Sequence, residues 1–142
     1  MIFVDSNVII DILYRDPRWA SWSMRQILAL SETHALAINE VVIAEVAPGV
    51  GSLSTFLAEM QKISVERQPL TEEAAYHAGE AFQNYRRNRR TAQNARQSII
   101  ADFLIGGHAE TLQAGVLTRD PRFYRRYFPA IPLIAPSKDD HD

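Results

Sequence analysis

Four very short apolar runs constrain this chain most: Ile2 to Val4, Ala35 to Ile38, Gly115 to Thr118 and Ile131 to Ile134. Between them lie long segments whose apolar residues recur at helical spacing. Strands so far apart cannot be closed by hairpin turns, and strands joined through helices lie parallel in one sheet. Ser64 to Glu66 adds a weaker strand signal. Helices are expected from Asn7 to Leu13, from Pro17 through Trp19, Trp22, Met24, Ile27, Leu28 and Leu30, and from the cap residue Asn39 through Val46, where Pro48-Gly49 stops it. Ser52 opens another through Ile63, Thr71-Glu72-Glu73-Ala74 opens one reaching about Arg87, and Gln97 one running toward Leu112. The polar stretch RRNRRTAQNARQ reads as a loop between helices, and Arg119 to Phe128 as a loop with a short helix. The pattern predicts a single α/β domain over residues 1–136 with a mostly parallel sheet of four to five strands. The tail SKDDHD, residues 137–142, is expected to be disordered.

With 142 residues, 46% of them hydrophobic, the chain can bury a core of its own. It has no uncharged apolar stretch long enough for a membrane span and no signal-peptide pattern, so the cytoplasm is the expected compartment. The absence of cysteine rules out disulfides, thiolate metal sites and cysteine nucleophiles, leaving oxygen as the main ligand chemistry. The net charge of -2 hides an acidic tail, since Asp139, Asp140 and Asp142 fall in the last four residues. All cations but Lys62 and Lys138 are arginine, whose planar fork suits phosphate.

Ligands of parallel sheets bind beyond the carboxyl ends of the strands. Asp5 follows the first strand and Asp120 follows the Val116 strand, so the two acids share one edge. Asp5 is also placed to cap the next helix. Glu45 and Asp102 lie on helices able to aim at that edge, although Glu40 competes with Glu45, and spacing alone does not choose between them. Asp102 sits among apolar residues, where an unpaired carboxylate is costly. Thr118 and Asn7 are candidate hydrogen-bond partners for the acids, whereas Asp11 and Asp16 read as surface or turn residues. Gathered carboxylates repel one another unless a divalent cation offsets them, and oxygen-only ligands favour Mg²⁺ or Mn²⁺. Such an ion activates water toward a phosphodiester.

Four segments, VDSNVIID (4–11), INEVVIAEVAPG (38–49), DFLIGGHAE (102–110) and GVLTRDPRFY (115–124), together resemble the PIN domain. Within it they resemble the VapC-like ribonuclease toxins of toxin–antitoxin pairs. The resemblance implies a PIN-like three-layer α/β/α sandwich. It matches the acids to Asp5, Glu45, Asp102 and Asp120, selecting Glu45 over Glu40, and matches Thr118 to a small hydroxyl residue beside them. It further implies an Mg²⁺- or Mn²⁺-dependent endoribonuclease acting on RNA, with transfer RNA a candidate substrate, a VapB-like antitoxin and a homodimer. The Gly-Gly of LIGGHA departs from the usual Ala, which would bring its helix closer to the sheet or loosen it.

Other features divide between partner-binding and packing roles. Arg86, Arg87, Arg89, Arg90 and Arg96 form either an RNA-binding rim or a solvated helix end. Arg119 and its neighbouring arginines interleave with Phe123, Tyr124, Tyr127 and Phe128, a pattern that suits aromatics in the core more than contacts to bases. Trp19 and Trp22 share a helix face, in the core or in a groove for a partner helix. The four histidines lack metal-ligand spacing. A non-catalytic PIN-fold module that binds RNA or protein is the alternative function, and a phosphoaspartate enzyme fits poorly because Asn7 stands where a second Asp would be required.

Overall fold

The computed structural model describes residues 1–88 and 99–141. Five strands, β1 (Ile2–Val4), β2 (Leu36–Ile38), β3 (Val65–Arg67), β4 (Gly115–Leu117) and β5 (Leu133–Ile134), form one sheet in the order β3-β2-β1-β4-β5. Every pairing is parallel, with Val4 opposite Leu117 at the centre. The described helices are α1 (Ser6–Leu13), α2 (Ala20–Ser31), α3 (Glu40–Val46), α4 (Leu53–Lys62), α5 (Glu72–Asn88), α6 (Ile99–Thr111) and α7 (Arg122–Tyr127). The chain winds outward from β1 to β3 and then returns to β4 on the other side of β1. Because parallel crossovers are right-handed, this reversal places helices on both faces and makes an α/β sandwich.

Local signals explain the boundaries. Asn39 caps α3 by accepting from the backbone N–H groups of Val41 and Val42, and Ser52 caps α4 by accepting from Thr55 N. The Pro17 start does not hold: Asp16 Oδ1 accepts from the N–H groups of Arg18 and Trp19, which makes a turn and delays α2 to Ala20. The third strand lies one residue later than expected, after Ser64 takes a left-handed φ of 60°. The helix expected to reach about Arg87 ends at Asn88 as α5, taking in the first three residues of the stretch read as a loop, whereas 89–98 lie outside the described residues. Lys138–His141 form a 3₁₀ turn, tied by Ser137, whose N–H and hydroxyl both donate to Asp140 Oδ2.

The central strands β1 and β4 are buried throughout. Phe103 of α6 anchors the aromatic part of the core, with ring centroids of Phe82, Tyr85, Phe123, Tyr127 and Phe128 4.9–5.8 Å away. The aromatics of the Phe123–Phe128 stretch therefore serve packing. Trp19 and Trp22 are buried too, edge to face at 6.0 Å. The Gly-Gly of α6 allows close approach to other elements than the sheet. A Cβ on Gly106 would meet the Phe128 ring at 2.5 Å, and one on Gly107 would meet Ala78 of α5 at 2.7 Å. Among the described residues no single helix is long and apolar enough to cross a membrane.

Candidate active site

The sheet order reverses between β1 and β4, so a crevice opens where these neighbouring strands end. Asp5 leaves β1 there, with its N–H donating to Leu117 O at 2.9 Å. Its Oδ1 accepts from Ser6 N at 2.8 Å, and its Oδ2 accepts from the Thr118 hydroxyl at 2.9 Å and the Tyr124 hydroxyl at 3.0 Å. Asp5 thus both caps α1 and stands at the crevice. Burial pushes its carboxyl pKa up; the bonds from Thr118, Tyr124 and Ser6 pull it back, and Glu45 adds to the rise. Burial and the charge of Asp5 raise the Tyr124 phenol well above its ordinary range, so it remains a donor.

Glu45 and Glu40 part company as their positions on α3 require. Glu45 Oε1 accepts from the Ser6 hydroxyl at 2.6 Å, which brings it to the start of α1, whereas Glu40 Oε2 accepts from Leu70 N at 2.8 Å. Asp102, in the first turn of α6, is half-buried. Its pKa is raised to about 7, first by burial and then by Asp5, Glu45 and Asp120. The other three predicted acids therefore act on Asp102, and Glu45 acts on Asp5 as well. The Asp120 carboxylate accepts from Arg122 Nε at 2.8 Å and Nη2 at 2.7 Å, which holds its pKa down. Among the described residues no three acidic or imidazole side chains already stand in a ligand cluster.

Asn7 and Thr118 link the two strand ends. Asn7 Nδ2 donates to Thr118 Oγ1 at 3.3 Å, while Asn7 Oδ1 accepts from Arg119 N at 3.1 Å. Three residues escaped the sequence reading. Ser6 orients Glu45 and Tyr124 donates to Asp5. Asp11, expected at the surface, is 1% exposed and accepts from the Ser23 hydroxyl at 3.0 Å and Arg119 Nε at 2.8 Å. Of the basic residues, Arg86 and Arg87 are exposed at the end of α5, Arg119 is held at the crevice, and Arg89, Arg90 and Arg96 lie outside the described residues.

The chemistry of the acids suits a divalent cation. Asp102 is about half protonated near neutrality, first because it is partly buried and then because three other carboxylates repel its charge, a repulsion that a bound cation would relieve. The three bonds to Asp5 leave it lone-pair capacity for a further partner. An oxygen-only set matches Mg²⁺ or Mn²⁺ better than softer metals.

The comparisons with known proteins agree with this architecture. The family model for the PIN domain matches residues 2–129. VapBC2 from Rickettsia felis, bound to a promoter DNA fragment, matches with a TM-score of 0.72 and 19% identity, over 96% of this chain and 100% of that one. DNA-bound VapBC from Salmonella typhimurium gives 0.64 and 20%, over 94% and 96%. VapBC-1 from nontypeable Haemophilus influenzae gives 0.64 and 20%, over 95% and 98%. No curated protein sequence matches the chain significantly. Identities this low speak to fold alone, but the family model spans nearly the entire chain, and on that ground the chain belongs to the PIN domain family.

Proposed function

We propose that this PIN domain is a metal-dependent endoribonuclease and the toxin of a toxin–antitoxin pair. The observation that carries the reading is the Asp102 carboxyl, whose pKa is raised first by burial and then by the charges of Asp5, Glu45 and Asp120, near the point where the sheet order reverses. These four residues would hold Mg²⁺ or Mn²⁺. When bound, such an ion supplies positive charge to a phosphoryl oxygen and acidifies water near the scissile bond. Thr118 and Tyr124 keep the Asp5 carboxylate oriented, and Ser6 keeps Glu45 turned to the crevice. Asp102, half protonated near pH 7, would hold a cation only as the carboxylate, so ion uptake would be coupled to pH. Arg122 is exposed, and an exposed ion pair contributes little, so it can exchange Asp120 for a phosphate.

The partner follows from the structural neighbours, which include a toxin–antitoxin complex from Klebsiella pneumoniae as well as the VapBC assemblies. They support a VapB-like antitoxin for this chain, and a homodimer acting in the cytoplasm completes the proposal. RNA rather than DNA is the substrate, with transfer RNA the first candidate. The rival, a non-catalytic binding module, draws on the Arg122 pair that turns Asp120 outward. Incubating partner-free protein with total RNA, transfer RNA and single-stranded DNA in Mg²⁺ or Mn²⁺ separates the two. Discrete RNA cleavage, lost in EDTA and in Asp102→Asn, supports the nuclease; a folded, metal-binding protein that cuts none of them supports the module.

A further inference from the structure

A second feature adjoins the acids on the side of Asp120. A groove of about 610 Å³ runs from Asp120 between the turn before α2 and the start of α7 to the chain's final segment, with Arg18, Arg119, Arg122, Arg125 and Lys138 along its walls. Five cations around one lining carboxylate oppose the chain's net charge of -2. Arg119 and Arg122 are paired with Asp11 and Asp120; at the margin Asp16 accepts from backbone N–H groups while facing Arg119 and Arg18, and Asp140 accepts from Ser137.

Arg119 differs from a solvated surface cation. Its Nε donates to the buried Asp11, which Ser23 orients from α2; its guanidinium lies 5.8 Å from the Trp19 ring centroid; and its backbone N–H is held by Asn7. Even so, its side chain remains 32% exposed. Asn7 and Asp11 are four residues apart on α1, so one helix face grips both the backbone and the side chain of Arg119. A guanidinium oriented in advance loses less freedom on meeting a ligand, and its planar fork matches phosphate oxygens.

We propose that this groove binds phosphates of the RNA strand flanking the scissile bond, with Arg119, held by Asp11, as its fixed contact and Arg18, Arg125 and Lys138 as further contacts. The proposal rests on the ribonuclease reading. A strand whose scissile phosphate lies at the acids must leave across the neighbouring surface, and the groove provides a cationic exit that starts at Asp120. Asp11 is a positioning residue that acts through Arg119.

The test is fluorescence anisotropy of a labelled oligouridylate in EDTA over a range of salt, with Arg125→Ala, Lys138→Ala, Arg119→Ala and Asp11→Asn, and with Arg67→Ala as a control outside the groove. Circular dichroism checks folding. Each cation removed should weaken binding by about threefold to tenfold and lower the salt slope by about 0.7, as expected for one lost phosphate contact on a single strand. Asp11→Asn should weaken binding in the wild-type background and add nothing once Arg119 is Ala. If Asp11→Asn does not fold, the Arg125 and Lys138 variants carry the test. Cleavage of the same RNA in Mg²⁺ is followed in parallel. Groove variants that lose binding while the wild type never cleaves would uphold the groove and remove the ribonuclease reading. A wild type that cleaves, with groove variants binding like the control, would overturn the groove alone and leave it to an acidic protein segment. Failure of the wild type to bind the oligouridylate would overturn it as well.

Discussion

Replacing Asp102 by Asn should make the metal-free protein more stable while abolishing its activity. The rise of the Asp102 pKa from 3.8 to about 7 corresponds, at about 1.4 kcal/mol per pH unit, to a ceiling of about 4 kcal/mol against the ionised form. Asp102 is half-buried and water screens part of that cost, which reduces the expectation to about 2 kcal/mol. Asn keeps the shape and removes the charge. A carboxyl with a raised folded pKa contributes its stability below the unfolded value and loses it as pH climbs through the folded one. The advantage of Asp102→Asn should therefore be near zero at pH 4, grow between about pH 4 and 7, and stay level above. Urea unfolding of both proteins in EDTA at several pH values measures it. A variant less stable than wild type at pH 8, or a difference independent of pH, would refute the idea that the four acids repel one another in this crevice.

Further outcomes follow from single contacts. Tyr124→Phe removes a donor from Asp5 and should raise the Asp5 pKa further, moving the acidic limb of the pH–activity profile upward; an unchanged limb would show that the bond does not matter. Gly107→Ala places a methyl against Ala78 and should cost about 1–3 kcal/mol in urea unfolding, because the neighbouring atoms are backbone and cannot give way. Asn39→Ala should cost about 1 kcal/mol by uncapping α3, as read by a lower thermal midpoint, and it also removes the partner of His108 Nδ1 at 3.2 Å.

Local features were legible and distant pairings were not. The strands, the Asn39 and Ser52 caps and the location of Asp5 follow from short apolar runs and cap residues, whose causes lie within a few positions of the chain. Spacing leaves Glu40 and Glu45 open and only the resemblance to the PIN domain selects Glu45, because the contact that turns it, with Ser6, is 39 residues away. The donor to Asp5 lies 119 residues away at Tyr124, although a tyrosine within a core aromatic stretch signals a hydroxyl that needs a partner. Asp11 looked superficial because its own neighbours do not reveal its burial. Its partner Arg119 is 108 residues distant, and only the four-residue spacing from Asn7 hints that both face the same strand end. The Gly-Gly of α6 was noticed, but the elements it approaches, α5 and Phe128, belong to packing that periodicity does not encode.

If the carboxylates at the ends of β1 and β4 hold a divalent ion as proposed, titration of the partner-free protein with Mn²⁺, followed by the electron paramagnetic resonance of the free ion, will show saturable binding. That binding should tighten as pH rises through about 7, where Asp102 loses its proton, and be lost in Asp102→Asn. Equal binding by both proteins, or none by a folded wild type at pH 8, would contradict it.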